Sequence, residues 1–463
     1  MSAQNTVQDL GSGPIGRLLV RLAVPTIAAQ LINALYNIVD RMYIGHIPGD
    51  GDIALTGVGV TFPIIMLISA FASLLGMGGA PLASIELGKK DSERANRILG
   101  NAAAALLGVA VLLTILFLSL NRPLLMLFGA SESTIEYAAS YVNIYVCGTV
   151  FVMAALGLNP FITAQGFARE GMLTVLIGAL LNILLDPLFI FVLGLGVRGA
   201  ALATILSQAV SAGWVLLFLC GKKTVLRLQL STLPLRKDIL LSILSLGISP
   251  FIMQSTESLV MITLNSGLQR YGNDLYVGAM TIISSVMQVL TMPLMGLGQG
   301  AQPIISYNYG AGNYERVQKT YRLLIRVSFA VSSIICLVVL AAPQVFVSVF
   351  NNKPELMEIS CRSMRIYFAG IFMMGIQFGC QQCFMAMGQA KTSLFLALLR
   401  KVILLIPLAL LLPPFLGPDG IFIAEPVADI TAAIVTGLMF LRFARRLLKP
   451  PAQRPDLQQP GKE

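Results

Sequence analysis

The chain has 463 residues, 56% of them hydrophobic and 12% charged, with a mean hydropathy of +0.80 and a net charge of +10. Soluble domains carry roughly 25% charged residues, so this composition cannot cover a water-facing surface and suits a lipid-facing one. The positive balance does not call for a nucleic-acid partner, because the charges are sorted by membrane side.

Residues 1–14 are polar and lack the basic start and short apolar core of a cleavable signal, so the first apolar run is expected to stay as a membrane helix. Runs of about 20 apolar residues then read as twelve spans. They lie at 16–40, 53–77, 96–120, 134–158, 171–194, 198–220, 238–266, 276–303, 320–342, 356–384, 391–413 and 420–442. Twelve spans put both ends of the chain on one side. With those ends inside, the inner segments carry Arg17, Arg21, Lys89, Lys90, Arg94, Arg97, Arg169, Lys222, Lys223, Arg227, Arg236 and Lys237. They also carry Arg316, Lys319, Arg322, Arg326, Lys391 and the basic residues from Arg442 to Lys462. The outer segments hold only Arg41, Arg122, Arg198, Arg270 and Lys353. The positive-inside rule therefore predicts cytoplasmic termini.

The halves repeat at an offset of 222 residues. Gly76, Gly78, Pro81, Ser84 and Gly88 match Gly298, Gly300, Pro303, Ser306 and Gly310. Glu93-Arg94 matches Glu315-Arg316, and Ile144-Tyr145 with Gly148 matches Ile366-Tyr367 with Gly370. Each repeat holds an even number of spans, so both begin on the cytoplasmic side and the repeat is parallel, with an axis along the membrane normal. The expected fold is an all-α membrane protein, with twelve transmembrane helices in two parallel-repeat six-helix bundles around a central cavity. Its parts are an N-terminal bundle over 14–220, a cytoplasmic linker over 221–237, a C-terminal bundle over 238–449 and a cytoplasmic tail over 450–463. One chain suffices to enclose the cavity, so a monomer is expected.

An ionised carboxylate at a helix centre costs about 2.5–3.5 kcal/mol on insertion scales, so acids inside spans point to function. Asp186 lies deep in the fifth span, in Asn182-Ile-Leu-Leu-Asp186-Pro187. Asn182 and Asp186 are one helical turn apart, and Pro187 frees a backbone carbonyl nearby. Such oxygens suit a proton or a small hard cation; the bland alternative is a polar cluster that only fixes packing. Thr204 and Gln208 are likewise four apart in the sixth span. Asp40 ends the span that contains Pro25, where the bland reading is an interface residue that caps the helix and pairs with Arg41. Glu257 in the seventh span either attracts a cationic substrate or makes an internal ion pair. Glu425 and Asp429 align with Thr204 and Gln208 at an offset of 221, as a second ion site or a polar seam. Tyr36, Phe62, Tyr141, Met153 and Phe161 are candidates for walls that meet flat lipophilic cations, against a plain packing role.

No G-x-x-x-x-G-K-[ST] occurs, since Gly88-Lys89-Lys90 lacks the following Ser or Thr, so ATP is not the expected energy source. No H-E-x-x-H occurs, and His46 is the one histidine. Cys380 and Cys383 form a lone CxxC, better read as buried helix cysteines than as a zinc or redox site. Neither an enzymatic set nor a cofactor is expected.

Taken together, these residues resemble the MATE family (multidrug and toxin extrusion), over nearly the whole chain from about Pro14 to Lys449. The resemblance rests on Asp40 to Gly45, Gly76-Met-Gly78-Gly-Ala-Pro81, Gly88 with Glu93-Arg94, Ala164-Gln-Gly166, Asn182 to Asp186-Pro187, and Gly199-Ala-Ala201. It is closest to the MepA-like bacterial branch. The resemblance implies antiport of organic cations against H+ or Na+ in a bacterial plasma membrane, with the coupling ion at Asp40, Asn182, Asp186 and Thr204. It implies a substrate or ion role for Glu257. One branch uses an acid in the tenth span, where this chain has uncharged residues around Ile376 and Gln377. A rival reading is a flippase of lipid-linked sugars or other amphiphiles. That would line the cavity with Arg and Lys, and the spans hold chiefly Arg362, Arg365, Arg400 and Lys401.

Overall fold

The computed structural model describes residues 3–49, 51–350 and 353–447. The segment expected to form a tail, 450–463, lies outside them. The backbone is helical almost throughout, as it must be where no water satisfies a peptide group. A short helix α1 (Ala3–Ser12) precedes α2 (Ile15–Gly45), α3 (Gly51–Gly88), α4 (Ser92–Leu127), α5 (Ile135–Cys147), α6 (Thr149–Ala164), α7 (Ala168–Pro187) and α8 (Gly196–Cys220). The second half runs through α9 (Lys237–Tyr271), α10 (Asp274–Gly310), α11 (Tyr314–Ala341), α12 (Pro343–Ser348), α13 (Pro354–Tyr367), α14 (Ile371–Ala386), α15 (Ala390–Leu398), α16 (Ile406–Leu411), α17 (Pro413–Leu416) and α18 (Asp419–Leu447).

Among the described residues, ten spans are long and apolar enough to cross a membrane, and the pair α5–α6, bent by 59°, makes another. The twelfth is the repeat counterpart of that pair, α13–α14. Both break at the same repeat position, Gly148 and Gly370. The first half of the later span carries Glu355, Glu358, Arg362 and Arg365, which is why it is less apolar. The fold is thus two six-helix membrane bundles. The repeat also sets the helix starts. Asp91 caps α4 by accepting from the Arg94 amide at 2.9 Å, and Asn313, 222 residues on, caps α11 through the Arg316 amide.

The bundles meet at the end rich in basic residues. There α3 packs against α9 and α10, and α2 packs against α10. The contact follows the repeat closely. A Cβ on Gly88 would overlap the Tyr307 carbonyl, and a Cβ on Gly310 would overlap the carbonyl of Ile85, the repeat partner of Tyr307. Small residues permit this approach of two backbones, which is how membrane helices gain contact without a hydrophobic drive. Thr26 donates to the Gly296 carbonyl at 2.5 Å, Gln30 to Gln299 at 3.2 Å, and Gln254 to Ser73 at 2.7 Å. Phe71 meets Phe251 with ring centroids 5.0 Å apart. Among the described residues, no hydrogen bond or ring contact joins the bundles beyond these toward the other end.

Two features were not expected from the sequence. The segment between the bundles is pinned to the N-terminal one. The side-chain oxygen of Gln165 accepts from the Thr224 hydroxyl and from the amides of Val225 and Leu226, at 2.7–2.9 Å, while Asn101 holds Thr232, Pro234 and Arg236. The second feature is α1, whose last turn docks on Arg316. In the first repeat Arg94 faces the acid Glu86 at 3.8 Å. The counterpart of Glu86 is the neutral Asn308. Arg316 keeps the equivalent contact, its Nε donating to Asn308 Oδ1 at 3.2 Å, while its two terminal nitrogens donate to the carbonyls of Leu10, Ser12 and Gly13 at 2.7–3.4 Å, where a helix end favours a cation.

The Gly88–Gly310 crossing makes a prediction. Gly88→Val or Gly310→Val should hold the bundles apart at the basic end. Spin labels at the exposed positions Glu93 and Lys319 should then report a longer, broader distance distribution than in the parent. An unchanged distribution would mean that the crossing does not control closure.

Candidate functional site

Four helices converge in the N-terminal bundle, in its half remote from the basic end. Asp40 comes from the last turns of α2, Asn182 and Asp186 from α7, Thr204 from α8 and Tyr141 from α5. Asn182 Nδ2 donates to Asp186 Oδ1 at 3.1 Å and lies 3.5 Å from Thr204 Oγ1. The Thr204 hydroxyl donates to the Ala200 carbonyl at 3.0 Å, so its lone pairs are free to face the cluster. The Asp40 carboxylate is within hydrogen-bonding reach of Asp186. Tyr141 reaches Thr204, and Tyr36 reaches Asn37 beside Asp40.

Three buried oxygens here meet no donor: Asp40 Oδ1, Asn182 Oδ1 and Asp186 Oδ2. Buried polar atoms are otherwise almost always partnered, so such a group needs a cause. Two ionised carboxylates about 4 Å apart repel by roughly 4 kcal/mol at an effective dielectric of 20. A proton or a small cation between them removes that repulsion and supplies the missing partner. The local backbone suits this. Pro187 has no amide to donate, and the helix widens directly after it into a π segment, Leu188–Val192. Such widened turns are frequent at functional sites.

The C-terminal bundle has a second polar centre of different make. A longer π segment, Leu399–Leu405, interrupts the eleventh span and carries Arg400 and Lys401. Arg400 donates to Glu425 at 2.7 Å and to Asp429 at 2.5 Å; both acids are buried and Arg400 is nearly so. Lys401 donates to the Met253 carbonyl at 2.7 Å and pairs with Glu257. Glu257 is therefore not a free acid, and Glu425 and Asp429 are not an open ion site. The three acids share two neighbouring cations. The sequence signal was the adjacent Arg and Lys inside an apolar run, each needing an acid within the bundle.

The other candidates fall in three places. Tyr36 and Tyr141 stand at the Asp40–Asp186 cluster. Phe62 is exposed and lies under Arg41, whose guanidinium is 5.4 Å from the ring. Met153 and Phe161 are fully buried in the core of the N-terminal bundle, Phe161 against Gly79, and offer no wall to a ligand. That correction follows from helix phase: apolar residues of α6 turn inward as readily as toward a cavity. Cys380 and Cys383 are buried free thiols, and no cluster of metal-ligating residues occurs among the described residues.

Comparison with known proteins agrees with this architecture. The MatE family model matches residues 25–188 and 250–411, one stretch in each bundle. The Multidrug export protein MepA of Staphylococcus haemolyticus is 26% identical over 93% of this chain and 94% of its own. A solved outward-facing multidrug resistance MATE transporter of the MOP superfamily superposes with a TM-score of 0.89 at 25% identity, covering 96% of this chain and 98% of that one. A MOP superfamily transporter from Pyrococcus furiosus, described as having a binding pocket of reversed polarity and a different function, superposes with a TM-score of 0.88. It too is 25% identical, over 96% and 98% of the two chains.

The buried triad of the C-terminal bundle is open to a direct check. Arg400→Met strands two carboxylates and should lower stability by about 3–5 kcal/mol, whereas neutralising all three groups together should be far milder. Thermal unfolding of Arg400→Met and of the triple variant with Glu425→Gln and Asp429→Asn measures both. Equal losses would contradict the pairing.

Proposed function

The chain belongs to the MATE family of transporters, and from that premise we propose that it is a secondary active multidrug exporter. It expels lipophilic organic cations in exchange for H+ or Na+. The observation that carries the reading is the set of donorless buried oxygens on Asp40, Asn182 and Asp186. The names of the relatives and neighbours, multidrug export proteins and a multidrug resistance transporter, support the same activity.

In this reading the protein sits as a monomer in the bacterial plasma membrane with both termini in the cytoplasm. Among the described residues, the hydrogen bonds named between the bundles lie toward the basic end, which supports a state closed to the cytoplasm and open outward. From outside, one proton or sodium ion enters the cluster of Asp40, Asn182, Asp186 and Thr204. The added charge halves that of the carboxylate pair and removes their mutual repulsion, α2, α7 and α8 adjust, and the substrate leaves. Rocking of the bundles then turns the site inward, where the ion departs and the next cation binds. One charge crossing 100 mV contributes about 2.3 kcal/mol to that cycle.

The rival reading, a flippase for anionic lipid-linked sugars, asks for a basic cavity. Arg400 and Lys401 are outnumbered by Glu257, Glu425 and Asp429, which favours a cationic cargo.

Ethidium efflux from cells tests the proposal. Wild-type protein should export the dye, Asp186→Asn should lose at least tenfold in rate, the order expected when an essential buried charge is removed, and collapse of one ion gradient alone should stop export. Normal export by Asp186→Asn would reduce that residue to packing. Absence of export by well-expressed wild-type protein would overturn cation efflux.

A further inference from the structure

The polar centre of the C-terminal bundle sets three carboxylates, on Glu257, Glu425 and Asp429, against two cations, on Arg400 and Lys401. One negative charge is left over. The two cations are held in different ways. Arg400 is gripped by two carboxylates, and its side chain is only 14% exposed, that of Glu425 6% and that of Asp429 2%. Its planar fork suits a fixed position. Lys401 is a point charge on a flexible four-carbon stem, and its partner is the open member of the group: the Glu257 side chain is 62% exposed. Gln254, one turn earlier on α9, reaches across to Ser73 of the opposite bundle. That face of α9 therefore looks into the space between the bundles, and Glu257 is the first carboxylate a solute there would meet.

A second acceptor waits behind it. Glu425 gives Oε1 to Arg400, while its Oε2 is buried with no donor. Lys401 stands close enough to act on Glu425 electrostatically. We infer that Lys401 is a tethered competitor for substrate: it holds Glu257 in the resting protein, yields it to an incoming organic monocation, and turns to Glu425 Oε2. The network then contains three cations and three carboxylates, so it accepts one positive charge and has no place for a second. Small hydrophilic amines compete poorly, because the tethered ammonium offers Glu257 the same contact at a higher local concentration. A lipophilic cation wins by burying its apolar surface as well. This inference rests on the reading of the protein as a cation exporter.

Ethidium binding to purified protein in lipid nanodiscs, followed by fluorescence, tests it. Lys401→Met removes the competitor and should tighten binding by about fivefold, the scale of one partly exposed ion pair. Lys401→Gln keeps a donor for the Met253 carbonyl, should behave alike, and serves where the Met variant folds poorly. Glu257→Gln should weaken binding, and the double variant Glu257→Gln/Lys401→Met should bind no tighter than Glu257→Gln alone. A lysine that merely supported the fold would give weaker binding when replaced, not tighter. If wild-type protein binds ethidium and the Lys401 variants bind equally or more weakly, the competitor role is overturned. If wild-type protein binds no ethidium at all, the cation-export reading beneath it fails.

Discussion

A charge inside a membrane must find a counter-charge, a proton or water, and this requirement organises both bundles. The C-terminal bundle meets it internally: Arg400 and Lys401 stand on one interrupted span and the acids stand on α9 and α18 around them. The N-terminal bundle does not. Asp40 and Asp186 face each other, Arg41 beside them turns to the Phe62 ring, and three oxygens lack donors. Corresponding spans of the two repeats thus carry opposite solutions. Where the fifth span bears an acid beside its π segment, the eleventh bears bases within its own. One bundle answers its buried acids with two cations of its own and is left with one negative charge, whereas the other has no lysine or arginine among its facing acids and leaves three oxygens without donors.

That asymmetry needs a scaffold that changes state without unfolding. The backbones touch at Gly88 and Gly310, each under a carbonyl of the other bundle, with no side chain between them at those two positions. A packed interface of this kind has two arrangements and little between them. The helix α1 adds to the closed one. It occupies Arg316 on the C-terminal side, and its Leu10 packs against Gly166 on the N-terminal side. The linker contributes rigidity of a local kind, because Gln165 and Asn101 bind it to one bundle only.

Much of this was legible in the sequence because the physics is one-dimensional there. Apolar run length fixes a span, and a repeat at a constant offset fixes the symmetry, down to the caps at Asp91 and Asn313. Asn182 and Asp186 were readable as neighbours since a four-residue spacing is a helix contact. Their meeting with Asp40 and Thr204 was reached through family resemblance, not spacing. What lay beyond reach were pairings across helices. Nothing in the neighbourhood of Glu257 announces Lys401, which is 144 residues away. Nor does the sequence around Met153 or Phe161 tell which side of α6 faces the core. The exchange of Glu86 for Asn308 was visible at the repeat offset, but its consequence, a docked α1, appears only in three dimensions.

The most direct measurement is of ion release on substrate binding. Purified protein in weakly buffered solution receives ethidium while proton and sodium activities are followed. The account predicts that about one ion leaves per dye bound, and that Asp186→Asn releases none while still binding dye. Dye binding by wild-type protein with no release of either ion would contradict the claim that Asp40 and Asp186 hold an exchangeable cation.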